Sequence, residues 1–217
     1  MKKWLVIIIA GLFFTLQANA QSESDSAIYN RGLDLLEKSK TTENYLTTAF
    51  YFDSLTKEYP NHWLAWYYTG LSYILASQNA LDSKYRDDLL NKAQPNITKA
   101  FALKPNEPEL HILQAFLFQV RLMVDPQGRA MNFAPKADAS IKKAIAADPS
   151  NPRAYFLQGN NIYYTPPIFK GGPKNALPVF LKAREKFGEY VAGLSFMPVW
   201  GERENQAMIK ACSGVKN

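Results

Sequence analysis

The chain has 217 residues, of which 47% are hydrophobic and 13% aromatic, with 20% charged and a formal charge of +6. That supply of large apolar side chains excludes a disordered chain, and a single cysteine, Cys212, excludes an intramolecular disulfide framework or a Cys-rich zinc module. Two histidines, His62 and His111, are too few for a His-rich metal site.

The N-terminus reads as an export signal. Lys2 and Lys3 form a basic start, Trp4 to Leu16 is a nearly unbroken apolar run, and Ala18-Asn19-Ala20 is a small-x-small end. Cleavage is expected after Ala20. The thirteen-residue apolar run falls short of the ~18–20 residues that a spanning helix needs. Removing twenty of the 217 residues leaves a mature domain over residues 21–217, and no second segment approaches spanning length. Two cations leave with the signal, so 23 basic residues face 19 acidic ones and the charge falls to +4. The cations are scattered rather than striped, which disfavours nucleic acid as a partner. The expected location is the periplasm or the exterior, with no span of the membrane after signal removal.

The remainder is organised by a repeat. Ile28, Gly32 and Leu35 open the first unit, and Thr48, Phe52, Leu55 and Pro60 close it. In the second unit Trp66, Gly70 and Tyr73 are followed by Ala93, Ile97, Ala100 and Pro105. In the third, His111, Ala115 and Phe118 precede Ala137, Ile141, Ala144 and Pro149. In the fourth, Tyr155, Gly159 and Ile162 precede Ala176, Phe180, Ala183 and Gly188. Pro60, Pro105 and Pro149 are separated by 45 and 44 residues, as are Trp66, His111 and Tyr155. Spacings of 3 and 4 place each set on one helix face. Small residues admit a neighbouring helix, bulky ones fill the space beside it, and Pro or Gly ends each second helix.

This pattern resembles the tetratricopeptide repeat (TPR), with its best match in Trp66-x2-Thr69-Gly70-x2-Tyr73 and Ala93-x3-Ile97-x2-Ala100-x4-Pro105. The resemblance covers roughly residues 26–188. It implies an all-α, right-handed superhelical stack of about four TPR-like hairpins. The segment from Pro198 to Ala211 is expected to form a C-terminal capping helix over the last open face. One departure stands out: the period is 44 to 45, against 34 in the family. The excess is expected as insertions between paired helices, at Ala76–Leu90, Arg121–Lys136 and, shorter, Thr165–Pro173. A 44-residue period also suits HEAT-type pairs, but small residues at fixed places in both helices favour the TPR reading. Pro95 and Pro178 are expected in the first turn of a late-starting helix, or at a kink.

No catalytic constellation emerges, so no enzyme activity, metal or cofactor is expected. Gly171-Gly172-Pro173-Lys174 lacks the order of a phosphate loop and reads as a turn. The sequon Asn96-Ile97-Thr98 places Ile97 in the core. His111 reads as packed, His62 as a turn residue without an evident partner, and Cys212 as a small buried apolar residue. Asp25 and the pair Asp87-Asp88 read as acids at helix starts.

Function is left to surface. In a stack of helical pairs the first helices line the inner, concave face. On that face the sequence places Tyr29, then Tyr67, Leu71 and Ile74, then Ile112, Phe116 and Gln119, then Phe156, Asn160 and Tyr163. The resemblance implies a face that binds extended peptides. Its polar candidates are few, Arg153 and Asn160, so the lining suits an apolar peptide segment or a small apolar ligand. The chain is therefore expected to be a non-enzymatic exported scaffold that binds a protein or peptide partner. The alternative is a periplasmic small-molecule binder or transport accessory. A loop or the capping helix folded into the groove would instead leave the same residues simply buried.

Overall fold

The computed structural model describes residues 26–214, so the expected signal peptide and Asp25 lie outside the described residues. Helix α1 spans 26–38. It is followed by α2 (Thr42–Glu58), α3 (Trp63–Asn79), α4 (Ser83–Leu103), α5 (Pro108–Val124), α6 (Pro126–Ala147), α7 (Pro152–Tyr164), α8 (Pro173–Glu189) and α9 (Glu202–Cys212). A 3-10 turn, Pro167–Phe169, joins α7 to α8. No strand occurs among the described residues. Consecutive helices pack as hairpins, and the first helices α3, α5 and α7 touch in series. The architecture is the expected stack of helical hairpins.

The repeat residues act as the spacing requires. Gly70 faces Ile97 of the partner helix, and a Cβ at Gly159 would overlap the Phe180 ring. The hairpins change over at the expected prolines. The aromatic six residues beyond each proline closes that turn through its polar tip: Trp66 Nε1 donates to Pro60 O and Tyr155 OH donates to Pro149 O, both at 3.0 Å. His111 holds the same place in the third hairpin and packs instead on the Phe101 ring at 5.0 Å. Burial, and then Lys143, pushes its imidazole pKa down.

Three expectations are corrected. In the second and third units the long period is not made of inserted loops: α3 ends at Asn79 and α4 begins at Ser83, while α5 and α6 are separated by Asp125 alone; the shorter insertion of the fourth unit does form, as residues 165–172 between α7 and α8. The extra residues lengthen the helices, because side-chain caps restart them at once; Asp82 accepts from Tyr85 N–H and Asp125 from Gly128 N–H. Neither Pro95 nor Pro178 marks a helix start, since α4 and α8 run through them. Pro95 lies on the exposed side, and Arg121 of α5 braces the preceding turn by donating to Leu90 O and Asn91 Oδ1, both at 3.0 Å. The terminal helix is α9, which starts at Glu202 rather than Pro198.

Asp87 is not a helix-start acid. It pairs with Arg129 of α6 through two bonds of 2.6 Å, tying the second and third hairpins together near their turns. The Arg129 hydrogen bond holds its carboxyl below the usual range, against a smaller opposing effect of burial. A depressed folded pKa gives stability that is present above the unfolded pKa, about 4, and is lost as pH falls through the folded value. Asp87→Asn is therefore expected to cost about 1 kcal/mol at pH 7. That difference should shrink towards zero near pH 3, read as urea midpoints at the two pH values.

Candidate functional site

The expected inner face forms, but the chain's own C-terminal segment covers it. Residues 190–200 have no regular helix or strand. Their side chains Phe196, Met197 and Trp200 pack onto the first helices. Phe196 stacks on Tyr29 at 5.1 Å, and its carbonyl accepts from Tyr68 OH at 2.7 Å. Trp200 stacks on Phe116 at 5.3 Å and donates its indole N–H to Tyr67 OH at 2.8 Å. Gly201 then turns the chain with φ +103°; a Cβ there would come within 3.5 Å of Phe187, Phe156 and Arg153. Asn205, fully buried on α9, donates to Phe180 O and docks that helix on α8.

The inner-face residues thus have an occupant. Tyr29, Tyr67, Leu71, Ile74, Ile112, Gln119 and Phe156 are buried, while Phe116, Asn160 and Tyr163 are half-buried. Burial pushes the Tyr67 and Tyr68 phenols well up, with the Glu109 carboxylate adding to the effect. Gln119 does not face a ligand; its Nε2 bonds Leu157 O and Asn161 Oδ1 at 2.7 Å, linking α5 to α7.

Sequence reasoning missed the ion pair beneath this face. Arg153 and Glu109 are almost wholly buried and bonded through Arg153 Nε to both carboxylate oxygens at 3.1 Å and through Nη2 to Oε1. Asn151 Nδ2 donates to the same carboxylate, and the Tyr190 ring lies over the guanidinium at 4.5 Å. Burial would push the arginine pKa down, but Glu109 more than offsets it, so the group stays charged. The repeat register held the signal: both residues stand four places after a unit-ending proline, Pro105 and Pro149.

The open apolar surface lies elsewhere. Seven of the eleven exposed large apolar side chains among the described residues stand at the turns within the second, third and fourth hairpins. They are Leu81 and Tyr85, then Met123 and Met131, then Tyr164, Ile168 and Phe169. Hairpins stacked in one orientation bring these turns to one edge, as the Asp87–Arg129 and Gln119–Asn161 bonds between neighbours confirm. Met131 is 91% exposed, Ile168 84% and Phe169 73%. Large apolar surface left in water marks ligand or partner sites. The histidines are at the opposite edge: His62 immediately precedes α3, makes no side-chain capping bond and stacks on Tyr59, and His111 lies in the first turn of α5. Cys212 is half-buried on α9, against the core of the fourth hairpin. Among the described residues no His/Cys/Asp/Glu group is placed to hold a metal ion, and no helix is long and apolar enough to cross a membrane.

No protein-family model and no curated protein matches the chain. Among solved structures, the HusA haemophore from Porphyromonas gingivalis superposes with a TM-score of 0.78 at 29% identity, over 88% of this chain and 94% of that one. A thermophilic TPR protein from Thermus thermophilus superposes with a TM-score of 0.55 at 16% identity, over 93% and 95% of the two chains, and speaks for the fold alone. The fold of this chain is a TPR-like helical repeat, and its likeness to these solved proteins spans nearly the whole of each.

Proposed function

We propose that the chain is an exported, non-enzymatic binding protein for haem or a similar planar, apolar ligand, held at the edge formed by the hairpin turns. Residues 1–20 serve as its leader and residues 21–217 as the working domain. The observation that carries the reading is that apolar edge; the likeness to a haemophore supplies the ligand class. Ile168 and Phe169 are the anchors. With both histidines at the far edge, the site engages ring faces and not an imidazole-ligated iron.

The test is a titration of the mature chain with haemin, followed by Soret absorbance, beside the double substitution Ile168→Ser, Phe169→Ser. Burying two such side chains contributes about 3 kcal/mol or more, so the variant should bind about a hundredfold more weakly. Its stability should change by about 0.5 kcal/mol or less, because both side chains are in water already. Absence of haemin binding, or equal binding by the variant, would overturn the reading.

A second reading concerns the inner face of Tyr29, Tyr67, Leu71, Ile112, Phe116, Phe156, Asn160 and Tyr163. An irregular, aromatic segment of this chain already sits there, which supports a face able to take a peptide partner in exchange for it. Such a partner must outcompete a tethered occupant.

A further inference from the structure

Around its turn the fourth hairpin is one-sided in charge. From Pro149 to Arg184 the chain carries no Asp or Glu and five cations: Arg153, Lys170, Lys174, Lys182 and Arg184. Arg153 is committed to Glu109, and Lys182 lies over the Tyr155 ring at 4.4 Å, away from the α7–α8 turn. Lys170 and Lys174 stand at that turn, exposed and without an ion pair among the described residues.

The turn that carries them is held firmly. Phe169 N–H and Gly171 N–H both donate to Pro166 O, and Lys170 N–H donates to Pro167 O. Asn175 Nδ2 donates to Lys170 O and Gly171 O at 3.1 and 2.9 Å. Two adjacent prolines restrict the backbone further. Lys170 is kept in the left-handed region, φ 62°, which a lysine rarely adopts. The exposed pair Ile168 and Phe169 is thus followed at once by one cation on a fixed backbone, with a second in the first turn of α8.

Resting on the reading of this edge as a site for a planar apolar ligand, we infer that the ligand is an amphiphilic anion. Ile168 and Phe169 cover its apolar body, and Lys170 and Lys174 receive its carboxylates. No acid lies between Pro149 and Arg184 to compete for those ammonium groups, and Glu185 and Glu189 stand at the far end of α8, so the two lysines discriminate between a free acid and its neutral ester.

The experiment compares iron(III) protoporphyrin IX with its dimethyl ester on the mature chain and on Lys170→Asn, Lys174→Gln. Asparagine suits the left-handed backbone, so the turn survives the exchange. Two exposed carboxylate–ammonium contacts correspond to about a fivefold preference of the native chain for the free acid at low salt. The double substitution should remove that preference by weakening free-acid binding and leave the ester unchanged. Salt should erode free-acid binding alone. Lys182→Gln should alter neither. Equal binding of acid and ester by the native chain, or equal loss of both in the double variant, would overturn the inference while leaving the apolar site standing. Failure of both porphyrins to bind would overturn the site and the inference together.

Discussion

Replacing Glu109 with Ala is expected to be the most damaging single change in the protein, at about 3–5 kcal/mol. The substitution leaves the Arg153 guanidinium buried, with the Tyr190 ring and no carboxylate beside it. It also strands Asn151 Nδ2, which donates to the same carboxylate at the start of α7. For a chain of this length about 2–4 °C of melting temperature goes with each kcal/mol, so the melting point should fall by about 10 °C. The signature lies in the double variant. Glu109→Leu with Arg153→Met removes both charges and keeps most of the volume, so stability should return to near that of the native protein. Urea unfolding of the singles and the double gives the coupling directly. A single variant within about 1 kcal/mol of native would mean that water reaches the pair and that the two hairpins are not sealed there.

Trp200→Ala is expected to release the C-terminal segment from the inner face. Phe116 and Trp200 touch both halves of the core, the part built on the first two hairpins with one side of α5 and the part built on the third and fourth. Truncating the indole leaves Phe116 as the remaining bridge and leaves the fully buried Tyr67 hydroxyl without the indole N–H it accepts. Lost packing of a half-buried indole and one unsatisfied buried polar group together cost about 3 kcal/mol. Trp200→Phe keeps the ring contact and loses only the N–H, so about 1 kcal/mol is expected. Limited proteolysis supplies the structural readout: cleavage should appear between Tyr190 and Val199 in the alanine variant. A segment equally resistant in both variants would show that Phe196 and Asn205 hold it without the indole.

Much of this fold was legible because the repeat makes each signal recur. Gly70 and Gly159 announced close helix approach, and the partners Ile97 and Phe180 stand where the spacing of the second helices put them. The prolines at 60, 105 and 149 marked the changeovers because Pro ends a helix cheaply. Helix continuation was not legible in the same way. Pro95 costs little on an exposed helix side braced by Arg121, and the caps Asp82 and Asp125 act over distances too short to separate from the helix pattern. For the candidate site the inner-face lining was read by position, and a loop or the capping helix was among the readings for its occupant, but the residues that fill it were not legible. Phe196 and Trp200 lie outside the repeat, so no register pointed them at Tyr29 or Phe116. Exposure was equally hidden: Ile168 and Phe169 follow two prolines in what reads as an ordinary loop, and only the folded edge shows them standing in water among the described residues.

In the proposed function, two surfaces divide the molecule's work. A closed inner face holds the hairpins together through the C-terminal segment, and ligand binding is assigned to the exposed apolar edge. Hydrogen exchange of the mature chain with and without bound haemin tests that division most directly. The predicted result is new protection at residues 121–131 and 163–172, where the third and fourth hairpins turn, with residues 191–201 unchanged. Protection confined to 191–201 and the inner helices, with both turns unaltered, would contradict it.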